Sequence, residues 1–235
     1  MARIPNDESS YGPPDRPGLP AHLKVLFHVK HEGPSVESKL LADQATALGV
    51  GVSAEALARL ARFEGLLRDR AVPLGLVSRA DAGRIRERHL LDCLRAAAVI
   101  RESDEVAYDI GSGAGLPGLV VAIARPALHV RLVEPRRVRV GFLELAIERL
   151  GITNASVIAG RIERQTDTVD VCLARAFAGL RQAWEVSLPR LRSDGRLVYF
   201  AGRGHAPPDA GTGHDMRIVE TSVLASAGPL IIMSR

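Results

Sequence analysis

Apolar side chains recur at helical spacing through the first hundred residues. This pattern predicts helices at residues 35–48, 53–70 and 81–100. Ser53 is a candidate N-cap for the second helix, and Pro73 ends that helix because proline cannot continue it. We therefore expect an N-terminal arm and helical cap over residues 23–103.

From residue 104 onward, short apolar runs alternate with amphipathic segments. The apolar runs predict strands at residues 106–110, 129–133, 155–159, 169–174 and 196–201. The segments between them predict helices at residues 116–125, 136–150 and 178–191. This alternation predicts an α/β domain over residues 104–235, with a doubly wound and mostly parallel sheet. Two further runs, at 216–221 and 229–234, predict an antiparallel hairpin at its edge.

The N-terminal residues carry no such pattern. Residues 1–22 contain several prolines and few apolar side chains, so we expect a disordered tail. Residues 23–31 mix apolar and basic side chains, which fits either a segment packed on the domain or a basic arm that contacts phosphate. We find no signal-peptide pattern and no apolar run long enough to span a bilayer, so we expect a cytoplasmic protein with no membrane partner.

Composition narrows the function only slightly. The net charge is +4 and the isoelectric point is about 9.5, which permits a polyanionic partner without requiring one. Aromatic residues make up only 4% of the chain, so a base-stacking platform for single-stranded nucleic acid is not expected. Cys93 and Cys172 lack the spacing of a metal site or a disulfide framework, and we expect unreactive buried thiols and no metal. With no apolar excess outside the predicted core, we expect a monomer.

A glycine-rich turn follows the first predicted strand, with Gly111, Gly113 and Gly115 at alternate positions. Glycine permits positive φ angles and lets a ligand approach the backbone closely. The turn leads into the helix predicted at 116–125, and a helix N-terminus favours an anionic group. The spacing G-x-G-x-G differs from the G-x-G-x-x-G of dinucleotide-binding proteins, so a different ligand is indicated.

Two acidic residues frame this turn. Asp109 precedes the first glycine by two residues, and Glu134 follows the second predicted strand. A carboxylate at that strand end can accept hydrogen bonds from both hydroxyls of a ribose. The set favours S-adenosylmethionine as cofactor, with its amino-acid end at the glycine turn and its ribose at Glu134. The alternative is an ordinary glycine-rich turn of a doubly wound sheet.

Longer stretches carry a more specific signal. They lie at residues 88–94, 109–118, 122–126, 132–135, 139–143, 160–163 and 174–176. In their order and spacing they resemble the 16S ribosomal RNA guanine-N7 methyltransferase family, known as RsmG or GidB. The string Gly-Ser-Gly-Ala-Gly-Leu-Pro-Gly followed by Ile-Ala-Arg-Pro is far more specific than a generic methyltransferase glycine loop.

The resemblance implies a Rossmann-like class I S-adenosylmethionine-dependent methyltransferase. It implies methylation at N7 of one guanine in the decoding region of 16S ribosomal RNA, so the expected partner is 16S ribosomal RNA or the small ribosomal subunit. Carried over position by position, the implied cofactor contacts are Gly111, Leu116, Glu134, Ile162, Glu163 and Arg175. Ile162 could instead belong to the core, and Glu163 could cap a short helix.

This chemistry needs no general base. Guanine N7 has an exposed lone pair and no proton to lose, so alignment and desolvation matter more. We expect Arg175, His89 and Asp92 to orient the guanine or its phosphate, although the last two could also belong to a solvated helix face. Arg139 is either a structural ion-pair residue or an RNA contact, and Arg203 is a second candidate RNA contact.

The chain departs from the family pattern at two places on the substrate side. Leu74-Gly75-Leu76 stands where the family usually carries Asn-Leu-Thr, and Ala201-Gly202 stands where it usually carries Lys-Gly. Arg203 could substitute for the missing lysine, with different geometry. Two alternatives therefore stay open. One is a diverged methyltransferase with another RNA or small-molecule target, and the other is a non-catalytic RNA-binding or assembly factor that kept the fold.

Overall fold

The computed structural model describes residues 36–204 and 215–235. The predicted tail over 1–22 and the segment 23–31 lie outside the described residues. The strands of the described ranges join in one sheet. They are β1 (Val106–Ile110), β2 (His129–Glu134), β3 (Ala155–Ala159), β4 (Val169–Arg175), β5 (Leu191–Phe200), β6 (Met216–Val219) and β7 (Leu230–Ser234).

The strands are ordered β3-β2-β1-β4-β5-β7-β6 across the sheet. The five strands β1 to β5 run parallel, whereas β7 pairs antiparallel with both β5 and β6. The predicted doubly wound sheet with an antiparallel C-terminal edge is confirmed. The carboxyl ends of β1, β2 and β4 meet at one edge of the sheet, where such folds place their ligands.

The helices cover both faces of the sheet. They are α1 (Val36–Ala47), α2 (Ala54–Leu66), the single turn α3 (Asp92–Leu94), α4 (Gly118–Ala124), α5 (Arg137–Leu150) and α6 (Leu180–Ser187). The Ser53 side chain accepts a hydrogen bond from the Ala56 N–H at 3.1 Å, which confirms it as the N-cap of α2. The helix predicted at 53–70 ends in a π-helical turn, Leu67–Ala71, before Pro73.

The prediction of one continuous helix over residues 81–100 was wrong. The chain instead forms a 3-10 turn at Arg79–Arg84, a π-helical turn at Arg86–Leu91, α3, and a second 3-10 turn at Arg95–Val99. The buried side chains of Ile85 and Leu90 lie five positions apart, which suits the wider π turn better than a regular α-helix.

Two boundaries near the C-terminus also differ from the prediction. The helix predicted at 178–191 ends at Ser187 and is followed by a 3-10 turn at Leu188–Arg190. Strand β5 begins at Leu191 instead of 196, with a register irregularity where Leu191 pairs with Val169 and Arg196 pairs with Val171. The polar stretch between the two pairs explains the error, because it has the composition of a turn but forms a bulge.

Two apolar clusters lie on opposite faces of the sheet. One contains Leu132 and side chains of α1, α2, α4 and α5, while the other contains Val133 and side chains of α6. Every residue of α4 is buried, as predicted for the helix after the glycine turn. Within the described ranges, no helix is both long and apolar enough to cross a membrane. The predicted boundary between a helical cap and the α/β domain at residues 103 and 104 stays a prediction.

Candidate active site

The glycine turn joins β1 to α4 at the carboxyl edge of the sheet. Gly111, Gly113 and Gly115 have φ angles of +71°, +57° and +81°, which side chains disfavour. A Cβ atom on Gly111 would lie 3.0 Å from Phe177 Cδ2, and one on Gly115 would overlap the side chain of Leu119. The turn therefore requires glycine both for its backbone and for the space around it.

Asp109 lies beneath this turn and is 1% exposed. Its Oδ2 accepts a hydrogen bond from the Gly118 N–H at 3.0 Å, so a side chain caps the start of α4. The first N–H of that helix is therefore already bonded within the protein. Within the described part of the chain, Asp109 Oδ1 is buried without a hydrogen-bond partner. Burial raises the pKa of this carboxyl from 3.8 to about 7.

Glu134 ends β2 and is oriented by backbone groups on both sides. Its Oε2 accepts from the Gly113 N–H at 3.0 Å, and its Oε1 accepts from the Arg136 N–H at 2.9 Å. Within the described residues, Oε1 keeps a further acceptor site. Arg139 Nη1 lies 3.5 Å from Glu134 Oε2, so the ion-pair interpretation of Arg139 has a partner, while its side chain stays 32% exposed. The RNA contact of Arg139 stays a prediction.

A narrow cleft opens beside the glycine turn, and we call it the glycine-turn cleft. Its volume is about 120 Å³. It is lined by Ile110, Gly111, Val133, Pro135, Gly160, Arg161, Ile162, Glu163 and Phe177. Ile162 is 2% exposed and contributes to the core as well as to the cleft. Leu116, a further predicted contact, is buried in the main core.

Arg190 holds one wall of this cleft, and the sequence analysis missed it. Its guanidinium donates to the carbonyl oxygens of Ile162 at 3.1 Å, Glu163 at 2.8 Å and Val186 at 3.2 Å. The first two belong to the 3-10 turn Ile162–Arg164, so Arg190 ties that turn to the end of α6. No sequence signal identified this residue, because its partners are backbone carbonyls of a distant turn.

A second and larger cavity, of about 530 Å³, lies between the sheet edge and the N-terminal helical turns, and we call it the cap cavity. It is lined by Asp81, Arg88, His89, Asp92, Arg175, Ala176, Tyr199, Phe200, Ala201, Gly202, Arg203, Ser226, Ala227 and Gly228. The predicted residues Arg175, His89, Asp92 and Arg203 all line it. The departure at Ala201 also lies in this wall.

Arg175 joins the sheet to the helical turns in the wall of the cap cavity. Its Nε donates to Asp92 Oδ2 at 3.2 Å, and its Nη2 donates to the Arg88 carbonyl at 2.9 Å. The same Nη2 lies 3.2 Å from His89 Nδ1. The structure thus brings together the three side chains that we expected to position a substrate. Their roles stay predictions.

His89 is neutral at physiological pH. Burial, assisted by the nearby positive charge of Arg175, lowers the pKa of His89 from 6.5 to about 4. Because a guanidinium only donates, Nδ1 accepts from Arg175 and the single ring proton resides on Nε2. Asp81 lies on the far side of the ring, with its Oδ2 3.6 Å from His89 Nε2. Asp81 was not among the residues expected from the sequence to position the substrate.

The cleft and the cavity meet at consecutive residues. Arg175 and Ala176 line the cap cavity, and Phe177 lines the glycine-turn cleft. Ala176 has a φ angle of +53°, in the left-handed region that is uncommon for a residue with a side chain. Such strain is typical of functional sites. A molecule in the cleft and another in the cavity would therefore contact each other near Ala176.

Nucleophilic cysteine chemistry finds no support in this geometry. Cys93 and Cys172 are both buried, and burial raises the pKa of each thiol to about 12. The expectation of unreactive thiols is confirmed. Within the described ranges, His, Cys, Asp and Glu side chains form no group of three or more that could hold a metal ion.

Known proteins share this sequence pattern. A family model described as rRNA small subunit methyltransferase G matches residues 56–217. The ribosomal RNA small subunit methyltransferase G of Kineococcus radiotolerans is 37% identical over 177 residues, which cover 73% of this chain and 69% of that protein. The protein of the same name from Mycobacterium leprae strain Br4923 is 36% identical over 190 residues, covering 75% and 76%.

Solved structures share the fold. A variant of MtNAS in complex with S-adenosylmethionine superimposes with a TM-score of 0.53 at 16% identity, covering 84% of this chain and 77% of that chain. A SAM-dependent methyltransferase from Aquifex aeolicus superimposes with a TM-score of 0.50 at 16% identity, covering 68% and 97%. At this identity the likeness concerns the fold alone, and it confirms the predicted class I methyltransferase architecture.

Proposed function

This chain belongs to the rRNA small subunit methyltransferase G family, and from that premise we propose that it transfers a methyl group from S-adenosylmethionine to N7 of a guanine in the decoding region of 16S ribosomal RNA. It is a methyltransferase that uses S-adenosylmethionine and acts on small-subunit ribosomal RNA. The choice of atom and nucleotide is the finer part of the proposal. One observation supports this proposal most directly: the glycine-turn cleft and the cap cavity adjoin each other at residues 175–177.

The residues of the glycine-turn cleft fit the methyl donor. A Cβ atom at Gly111 would crowd Phe177, so glycine keeps this entrance open. The lining between Pro135, Ile162 and Phe177 is mainly apolar and narrow, which suits a flat adenine ring. Glu134, already oriented by two backbone N–H groups, would accept the ribose hydroxyls. Asp109 Oδ1, which is buried and has no hydrogen-bond partner among residues 36–204 and 215–235, lies beneath the turn that would hold the amino-acid end.

The cap cavity would hold the base. When bound, S-adenosylmethionine supplies a methyl carbon activated by its sulfonium. The N7 lone pair would form the new N–C bond as the C–S bond breaks, and sulfur would keep the electron pair. No proton leaves N7, so the positioning residues Arg175, His89 and Asp92 need only align the guanine and exclude water. The lowered pKa of His89, which makes its imidazole a weak base, and the buried thiols agree with a reaction without a general base.

The two departures from the family pattern fall differently in the fold. Ala201 lines the cap cavity, next to Arg203, whose exposed side chain could reach the phosphate of a bound nucleotide. Gly75 lies in the turn after Leu67–Ala71, with a φ angle of +69°, and it is not one of the lining residues of that cavity. Ala201 is therefore the departure that bears on the substrate. We propose that Arg203 supplies the positive charge there.

The same premise leads to proposals about the cellular context. We propose that the protein acts as a monomer in the cytoplasm, on 16S ribosomal RNA or the small ribosomal subunit, with no membrane partner. Arg139 and Arg203 would contact RNA phosphates from opposite sides of the site, since Arg139 lies beside the glycine turn and Arg203 in the cap cavity.

A paired assay tests the proposal. The purified protein is titrated with S-adenosylmethionine by calorimetry, and is then incubated with labelled cofactor and small ribosomal subunits that lack N7 methylation, after which modified guanines are mapped. Cofactor binding and one methylated guanine in the decoding region are expected. Binding with methylation elsewhere, or with none, would indicate a diverged target. Absence of cofactor binding would indicate a non-catalytic factor.

A further inference from the structure

The helical wall of the cap cavity contains two carboxylates with different environments. Both oxygens of Asp92 are held by guanidinium groups, since its Oδ1 accepts from Arg95 Nη2 at 2.6 Å and its Oδ2 accepts from Arg175 Nε at 3.2 Å. Oδ1 of Asp81 is paired with Arg88 Nε at 3.0 Å and with Arg84 Nη2 at 3.4 Å. Its Oδ2 faces the ring of His89 instead. Asp81 is therefore the carboxylate with an oxygen available to a molecule in the cavity.

His89 presents a donor beside that oxygen. With Nδ1 occupied by Arg175, the proton of the neutral ring lies on Nε2. Among the described residues, this buried Nε2 has no partner within hydrogen-bonding distance. The nearest carboxylate oxygen, Asp81 Oδ2, is too far for a close hydrogen bond, so an acceptor on a bound molecule would satisfy this donor. The His89 donor and the Asp81 acceptor are 3.6 Å apart, side by side on one wall.

Guanine carries the complementary pair on its edge next to N7. Its O6 is an acceptor and its N1–H is a donor, and O6 lies between N7 and N1 around the ring. Adenine reverses this order, with an amino donor at position 6 and an acceptor at N1. A donor beside an acceptor in the protein therefore matches guanine in one orientation and opposes adenine at both positions.

This inference rests on the proposed function and deepens it. We propose that His89 and Asp81 select the target guanine, with His89 Nε2–H donating to O6 and Asp81 Oδ2 accepting from N1–H. Arg175, hydrogen-bonded to the opposite side of the His89 ring, holds the imidazole in this tautomer and orientation. Because N7 is the ring nitrogen next to O6, these two contacts also fix the position of the reacting atom.

A change in the protein combined with a change in the base tests this contact. Small ribosomal subunits are reconstituted with 16S RNA carrying guanine, inosine or 2-aminopurine at the target position. Inosine keeps O6 and N1–H and lacks only the 2-amino group, whereas 2-aminopurine lacks both O6 and the N1 proton but keeps N7. We expect wild-type protein to methylate guanine and inosine about 10-fold faster than 2-aminopurine, measured as kcat/KM.

The variant Asp81→Asn removes the acceptor charge while keeping the size of the side chain. We expect it to lower kcat/KM on guanine and on inosine by about 10-fold and to leave 2-aminopurine nearly unchanged. Within the histidine series, His89→Leu should lose the same selectivity. His89→Gln, which keeps a donor near the Nε2 position, should retain most of it. Asp69→Asn, an exposed aspartate on the outer surface of the helical cap, is the matched control.

Two measurements distinguish a role of Asp81 in recognising the base from a purely structural role. Binding of S-adenosylmethionine, measured by calorimetry, should be unchanged in Asp81→Asn. If that variant slows all three bases by the same factor, or methylates guanine as fast as wild type, the assignment is wrong while the proposed function stands. If wild-type protein binds the cofactor but methylates no guanine of the subunit, the proposed function fails, and this inference fails with it.

Discussion

Replacing Arg190 with methionine should weaken the binding of S-adenosylmethionine while leaving the chemical step intact. Arg190 donates three hydrogen bonds, two of them to the carbonyls of Ile162 and Glu163 in the turn that walls the glycine-turn cleft. Methionine keeps the apolar stem of the side chain but removes the guanidinium. The turn then loses its link to α6 and must be ordered by the ligand instead.

The expected magnitude follows from the hydrogen bonds lost. A hydrogen bond to a charged group contributes roughly 1.5–3 kcal/mol when buried, and less where water can replace the donor. Arg190 is half-buried, so we assign about 1.4 kcal/mol of its contribution to cofactor affinity, which corresponds to a tenfold higher Kd. KM for S-adenosylmethionine should rise similarly, whereas kcat at saturating cofactor should stay within about twofold of wild type.

Calorimetric titration with S-adenosylmethionine measures the change in Kd, and two further variants serve as comparisons. Arg190→Lys keeps the charge but loses the fork of donors, so its Kd should be intermediate. Arg192→Met removes ion pairs with Asp170 at 2.6 Å and Glu105 at 3.6 Å, and neither partner lines the cleft. Its Kd should equal that of wild type. A wild-type Kd for a folded Arg190→Met protein, or an equal loss of kcat, would refute the positioning role.

Further predictions concern individual side chains of the site. Glu134→Ala should abolish methyl transfer to small subunits and S-adenosylmethionine binding, and wild-type activity would contradict its assignment to the ribose. Ala176→Gly should raise the free energy of unfolding by about 0.5–1 kcal/mol in urea, because glycine relieves the positive φ angle. Since the raised pKa of Asp109 makes the folded state hold a proton that the unfolded state releases, stability should fall as pH rises from about 4 to 7. In Asp109→Asn, the free energy of unfolding should fall by up to roughly 4 kcal/mol less over this pH range than in the wild type. Identical pH profiles for the two proteins would contradict this prediction. The lowered pKa of His89 has the opposite effect, because the unfolded state binds a proton that the folded state lacks between pH 6 and 4. The wild type should therefore lose stability as pH falls through this range, and His89→Leu should lose less of its neutral-pH stability than the wild type does.

Local signals predicted the backbone geometry of the glycine turn. The glycine turn and the acidic residue after β2 are recognisable because strand, turn and helix follow within a few residues of each other. The positive φ angles of Gly111, Gly113 and Gly115 are a property of the local backbone, and they agree with the spacing. What the local pattern missed was that Asp109 itself caps α4 through the Gly118 N–H.

The substrate side depends on contacts between distant parts of the chain. The Arg175 and Asp92 side chains are 83 positions apart, and the sequence could place each only at the end of its own element. Asp81 was missed because its position depends on how the helix predicted at 81–100 breaks into tight and wide turns. The five-residue spacing of the apolar residues Ile85 and Leu90 is the sequence feature that accompanies this break. It does not fit the 3.6-residue periodicity of a regular α-helix.

The positive φ angle of Ala176 has a direct consequence for methyl transfer. Along a β-strand, side chains alternate between the two faces, so residues two apart point the same way. Arg175 and Phe177 nevertheless line different cavities, because the left-handed backbone at Ala176 turns the chain between them. A methyl group that passes from one ligand to the other must cross near this residue, and alanine leaves room for it. A larger side chain at 176 would combine backbone strain with obstruction of the passage, whereas glycine would relieve the strain and loosen the separation between Arg175 and Phe177. Alanine at 176 is therefore small enough to leave a passage between the two proposed binding sites, and its left-handed backbone keeps Arg175 and Phe177 in different cavities at a cost in stability.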